Sequence, residues 1–262
     1  MIVGGRRILL GVASGGSPAQ PFIDALGGLR LPAGVATLER SIAFGNYIPA
    51  QREIIMQDAL EGGYDYLFFV DDDIVLPPDA LERLLETIES DPQTAVVGGL
   101  YYSRDEVRPI AVGGWDSSDT TTAYIPAYTA TSVDPVDGIG FGCALLRVAV
   151  ARRLTPPYFP AHVYIERKAR VARQCDEDFC YCERVRKAGY TVRLDARVRC
   201  PHYDRQRKVA FPQTWEPDSV TGSPRMIVAG HERPQLVPLD TSAPRIAERH
   251  AVADLVYISA DE

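Results

Sequence analysis

The stretch YDYLFFVDDDIVLPPDALERLLETI, residues 64–88, carries an apolar run that stops abruptly at three consecutive aspartates. The run Tyr66–Val70 is too short for a helix, is bounded by turn residues, and is aromatic and branched. It reads as a strand buried on both faces. Strands of that kind belong to mainly parallel sheets covered by helices on both sides. A helix follows directly: Pro77, Pro78 and Asp79 suit its first turn, and Leu81, Leu84, Leu85 and Ile88 recur on one face. Ionised carboxylates at a strand end are costly unless solvent or a cation compensates them. In open α/β sheets the ligand crevice lies outside the carboxyl ends of the strands. The aspartates are therefore expected to face a cleft.

Strand and helix signals alternate through the first two-thirds of the chain. Arg7–Ala13 reads as a first strand, with the loop SGGSP after it. Pro49–Glu61 reads as a helix, with Ile55, Met56, Ala59 and Leu60 at helical spacing and Gly62-Gly63 as its stop. Ala95–Leu100 is the next strand, and Ile139–Val150 holds a glycine-rich turn followed by the apolar CALLRVAV. Asp178–Ala188 is helical, with Tyr181, Val185 and Ala188 in register and Gly189 at its end; Thr191–Leu194 is a short strand. The expected fold is α/β with a mainly parallel central sheet over residues 1–203. Residues 204–262 form an irregular C-terminal extension, rich in Pro, Arg and polar groups, with one late apolar stretch, ADLVYIS. Wrapping of the core, cover for an acceptor site and a homo-oligomer contact are all open to it.

No stretch approaches the ~18 uninterrupted apolar residues of a membrane span. The N-terminal ILLGVA is shorter than the usual ~7–15-residue signal-peptide core and reads better as a buried strand. A cytoplasmic location is expected. An odd count of five cysteines without regular spacing fits reduced thiols; Cys175, Cys180 and Cys182 lack a second pair to complete a zinc site. The net charge of −7 disfavours a protein that grips nucleic-acid phosphates, although Arg205, Arg207 and Lys208 form a local basic patch.

Five constellations can carry chemistry. Asp71 and Asp73 are two apart, so in an extended segment both face one side and can share one ion. Hard oxygen ligands of this kind suit Mg²⁺ or Mn²⁺. The plainer alternative is a solvated acidic turn, with Asp79 as a further charge at a helix start. In CDEDFCYCERVRKAGY, Glu177 and Asp178 open a helix, where carboxylates are favoured on structural grounds alone; pointed into a cleft, one can also act as a general base. His202 in RCPHYD is by type more often structural than a ligand, yet it supplies the third protein ligand that two aspartates lack. In GGLYYSRDEVRP, Tyr101, Tyr102 and Arg104 either line the cleft or belong to an ordinary surface loop. The glycines of DGIGFGCALL, Gly138, Gly140 and Gly142, permit tight turns and close backbone approach to a ligand. Their spacing is not that of a Rossmann fingerprint, and no Walker loop is present.

Taken in order, these segments resemble a known family. YDYLFFVDDDIVLPPDAL is similar to the DxD region of GT-A-fold glycosyltransferases of the family 2 type. EDFCYCERVRKAGY resembles their ED helix, GIGFGCALLRVAV their glycine turn and the buried segment after it, and GLYYSRDEVRP and IPAQREIIMQDAL further segments. The last departs from the commoner ARN by reading AQRE. The likeness spans about residues 7–203. It implies a GT-A fold, a Rossmann-like nucleotide-diphospho-sugar transferase architecture, and a hexosyltransferase-like enzyme. Such an enzyme uses Mn²⁺ or Mg²⁺ and a nucleotide-sugar donor, a UDP- or GDP-sugar. Carried over by residue, Asp73 holds the metal and Asp71 touches the ribose or shares the ion, with Asp72 beside them toward the donor and His202 completing metal or diphosphate binding. Asp178 is the catalytic base, with Glu177 as the competing choice. Arg52 reaches the nucleotide or the aspartates, Ser14 passes near the nucleoside, and Gly140, Tyr102 and Arg104 lie toward the sugar or acceptor. The acceptor is a glycan, lipid, protein or modified nucleobase. Two rivals stand beside this: a nucleotidyltransferase, which SGGSPAQ disfavours because it lacks a basic residue, and a non-catalytic carbohydrate-binding protein of the same fold.

Overall fold

The structure is a computed structural model that describes residues 5–104, 109–115, 126, 128–160, 162–166 and 171–212, with backbone only for 162–166 and 171–175. The chain runs β1 (Arg6–Ser14), α1 (Gln20–Gly27), β2 (Val35–Phe44), α2 (Ile48–Glu61), β3 (Tyr66–Val70), α3 (Ala80–Ser90) and β4 (Thr94–Leu100). Short strands β5 (Ala111–Val112), β6 (Val133–Val136) and β7 (Gly138–Ile139) precede β8 (Cys143–Arg147) and α4 (Val148–Ala151). There follow β9 (His162–Glu166), β10 (Val171–Cys175), α5 (Glu177–Lys187), β11 (Thr191–Arg199), β12 (His202–Asp204) and β13 (Val209–Phe211).

One seven-stranded sheet, in the order β2-β1-β3-β8-β4-β11-β6, organises the fold. β1, β2, β3, β4 and β11 share a direction, while β8 and β6 oppose them. The sheet is thus mainly parallel, as expected. Side chains alternate across it, and each face has its own core. Ile8, Leu10, Phe68, Val97 and Leu145 pack with Phe22 of α1 and Leu81, Leu84 and Ile88 of α3. Leu9, Leu67, Phe69, Val96 and Leu146 pack on the other side with Ile55 and Met56 of α2 and Tyr181 and Val185 of α5. Every residue of β3 and β4 is buried, which explains why these strands read as unbroken apolar runs.

Gly63 and Gly189 follow α2 and α5 in the left-handed region, with φ of +69° and +88°, where a Cβ would be strained. Several elements lie where the sequence pattern predicts none: the short strands β5, β6, β9, β10, β12 and β13, and the longer β2 and α1. β2 is an edge strand whose buried and exposed positions do not alternate cleanly, and α1 is only eight residues long with a single buried side chain, Phe22. Neither carries enough periodic apolar surface to announce itself. β11 also runs five residues past Leu194, because Asp195 is buried and bonded to Thr87 and Arg197. Of the C-terminal extension, only residues 204–212 are described; they complete a hairpin of β12 with β13, and ADLVYIS lies outside the described residues. Among the described residues no helix is long and apolar enough to cross a membrane.

Phe68 is wholly buried at the centre of β3. Phe68→Ala should lower stability by about 3–5 kcal/mol, read as a lower urea midpoint at unchanged slope.

Candidate active site

The backbone of the three aspartates is tied down on three sides. Asp71 N–H donates to the Gly142 carbonyl at 3.0 Å, Ala19 N–H to the Asp72 carbonyl at 2.8 Å, and Tyr203 N–H to the Asp73 carbonyl at 2.8 Å. The strand does not continue through them. Ile74 N–H donates to the Asp71 carbonyl at 3.1 Å and closes a turn, so the alternation that was expected to aim Asp71 and Asp73 alike ends at Val70. Each carboxylate instead meets its own arginine. Asp71 accepts from Arg52 at 3.1 Å, Asp72 from Arg205, and Asp73 from Arg104 at 3.0 Å.

Arg52 is the centre of the arrangement. It projects from α2, is 3% exposed, and lies 5.4 Å from the ring centres of both Phe69 and Phe141. Its Nε stands 3.0 Å from Glu177 Oε1 at the start of α5, while its Nη2 holds Asp71. The strand end and the helix start therefore share one guanidinium. Burial lifts the carboxyls of Asp71 and Glu177 above their ordinary values, and Arg52 pulls both back.

Asp178 sits one residue further on, at the second position of α5. Its Oδ1 accepts from its neighbour's amide, Phe179 N–H, at 2.8 Å, and its Oδ2 from Phe141 N–H at 3.3 Å. Burial, reinforced by the charge of Glu177, pushes it up to about 8. Asp176, just before the helix, is the exposed member of this acidic trio. Its place just ahead of the helix gives it no mark of its own in the sequence.

The glycine turn is a wall of the site. Gly142 N–H donates to the Tyr101 hydroxyl at 3.1 Å, and a Cβ at Gly140 would overlap that hydroxyl. Both glycines thus make room for a buried tyrosine. His202 Nδ1 lies 2.9 Å from the Tyr102 carbonyl, which can only accept, so Nδ1 carries a proton and Nε2 is turned toward Asp73 Oδ1 at 3.3 Å. Burial works to raise the Asp73 carboxyl, but His202, Arg104 and Arg205 outweigh it and leave it below the ordinary value. Among the described residues, no three His, Cys, Asp or Glu side chains are gathered as a ready metal cage.

Ser14 anchors the opposite edge. Its hydroxyl donates to Asp72 Oδ2 at 2.6 Å and accepts from Gly16 N–H at 3.0 Å, while Gln51 Nε2 donates to its carbonyl at 3.2 Å. Beside it a groove of about 720 Å³ opens between α1 and β2, walled by Phe22, Ile42 and Phe44 among others. The basic run after His202 is partly engaged here: Arg205 bonds Asp72, and Arg207 pairs with Asp204 and donates to the Arg104 carbonyl. The Asp72–Arg205 contact and the support from Gln51 left no trace in local sequence.

Arg52→Met should destabilise the protein by about 3 kcal/mol, the lower end for a broken buried ion pair because Asp71 is partly exposed. Adding Asp71→Asn and Glu177→Gln to the same chain should recover part of the loss in urea denaturation. Equal stability of Arg52→Met and the parent would show that the bridge contributes nothing.

Residues 61–154 match the family model described as Glycosyl transferase family 2. The match contains the three aspartates and the glycine turn and stops before Asp178 and His202. No curated protein matches the chain. Among solved structures, A197 from STIV superposes with a TM-score of 0.56 at 18% identity, covering 82% of this chain and 98% of that one. GalNAc-T7, solved with UDP, GalNAc and Mn2+, superposes with a TM-score of 0.55 at 11% identity, covering 78% of this chain and 45% of that one. At these identities the structural likeness concerns the fold. Over residues 61–154 the chain is thus similar to glycosyltransferases of family 2, within a GT-A fold that it shares with the solved structures.

Proposed function

We propose that the protein moves a sugar from a nucleotide-sugar donor to an acceptor hydroxyl, with a divalent ion at Asp73 and inversion at the anomeric carbon. The observation that carries this reading is the Arg52 bridge, which ties the carboxylates of the β3 end to those of the α5 start across one guanidinium. One cleft then has a donor-facing and an acceptor-facing acidic group.

The residues suit a divalent ion. His202, with Nδ1 held at the Tyr102 carbonyl, places Nε2 3.3 Å from Asp73 Oδ1, so an imidazole nitrogen and a carboxylate oxygen are presented side by side. Two carboxylates and an imidazole form a set suited to Mn²⁺ or Mg²⁺, with Asp71 as the third member once it turns from Arg52. Bound there, the ion would offset the charge of the diphosphate leaving group. GalNAc-T7, of the same fold, was solved with UDP and Mn2+. The apolar groove beside Ser14 suits the nucleoside.

Asp178 is the base in this reading. Its carboxylate takes the acceptor hydroxyl proton while that oxygen bonds the anomeric carbon and the bond to the diphosphate oxygen breaks on the opposite face. Glu177, held by Arg52, serves to position the helix start. Positioning the two substrates in line supplies up to about 7–11 kcal/mol of the acceleration in favourable cases.

Incubation with UDP- and GDP-sugars and Mn²⁺ should release a nucleoside diphosphate; release of pyrophosphate would mean nucleotidyl transfer instead. Asp178→Asn should retain donor binding in calorimetry and lose transfer by about 10²–10⁴-fold. Near-normal transfer in that variant would remove Asp178 from the chemistry. In the parent, kcat/KM should rise with pH up to about 8 as Asp178 loses its proton. Between the ordinary carboxyl range and about 8, the native state keeps a proton that the unfolded chain has released, so stability should fall as pH rises through that window. Asp178→Asn should flatten that fall, which thermal unfolding against pH would read. Asp73→Ala should abolish the Mn²⁺ dependence of donor affinity; an affinity that never depended on Mn²⁺ would remove the ion from Asp73.

A further inference from the structure

Three guanidinium groups face three aspartates at the end of β3, one to each. The three arginines differ in how firmly they are held. Arg52 is 3% exposed, lies against two rings, and is also bound by Glu177. Arg205 is 35% exposed and makes a second bond, at 3.1 Å, to the Asp72 carbonyl. Arg104 is 41% exposed, and its guanidinium meets Asp73 through Nη1 at 3.0 Å. Of the two arginines on proposed metal ligands, Arg104 is the one with room to leave.

A divalent ion that reached Asp73 alone would lie beside the Arg104 charge, and like charges a few ångströms apart repel. A diphosphate removes the conflict, because guanidinium groups bind phosphate oxygens in a bidentate manner. Resting on the reading of Asp73 as a metal ligand, we infer that Arg104 is an exchangeable ligand-site cation: it occupies Asp73 in the empty site and moves to the donor diphosphate when the ion takes its place. Ion and nucleotide then bind cooperatively, and by linkage each strengthens the other by one factor.

Calorimetric titration tests this in the parent protein, Arg104→Gln and Arg104→Lys. Mn²⁺ is titrated alone and then with saturating UDP, or GDP where UDP does not bind. In the parent, the nucleotide should tighten Mn²⁺ binding by at least about fivefold. In Arg104→Gln, Mn²⁺ alone should bind more tightly than to the parent, the nucleotide should bind more weakly, and the coupling should shrink. Arg104→Lys keeps the charge without the fork and should fall between the two. Unchanged affinity for Mn²⁺ alone in Arg104→Gln, with the coupling intact, would overturn the exchange and leave the metal site standing. Failure of every form to bind Mn²⁺, with or without either nucleotide, would overturn the metal site itself and this inference with it.

Discussion

The arrangement of the site turns on one buried arginine. Arg52 lies between Phe69 of β3 and Phe141 of the glycine turn and reaches a carboxylate on each side. A guanidinium taken out of water needs partners, since an unpaired buried charge costs several kcal/mol. Asp71 and Glu177 supply them. In exchange, two carboxylates that would otherwise repel one another in a low-dielectric cleft are kept close. The planar, always-charged group also stacks on flat rings in a way that lysine does not. Remove it, and the strand end and the helix start have no common partner on that side.

The sheet supplies the rigidity behind this bridge. β3 lies between β1 and β8 and is buried along its whole length, so its carboxyl end is a fixed point. From that point the chain is caught by the glycine turn, the loop after β1 and β12, through backbone bonds with Gly142, Ala19 and Tyr203. Side chains on so constrained a backbone lose little further freedom when they meet a ligand. The same anchoring explains the tight packing of Tyr101 over Gly140 and Gly142: the wall of the site is shaped from inside the core.

Much of this could be read from the chain. β3, β4 and α3 were legible because full burial of a strand, or one apolar stripe on a helix, leaves a local pattern of its own period. Glu177 and Asp178 at a helix start were legible for the same reason. β2 and α1 were not, since an edge strand and a two-turn helix bury too few side chains to impose a period. The extended backbone assumed for Asp71 and Asp73 is not present, because an Ile74-to-Asp71 hydrogen bond turns the chain there.

The sequence by itself determined the alternating α/β order, the burial of β3 and the acidic character of its end, all of which follow from neighbours a few residues apart. Tertiary structure alone decided which cation each aspartate meets. Arg52, Arg104 and Arg205 come from α2, the segment after β4 and the turn after β12, and Arg205 lies 133 residues from the Asp72 it binds. Such pairings depend on how the sheet orders its strands. No local periodicity encodes that order, because it is set by the packing of the whole domain.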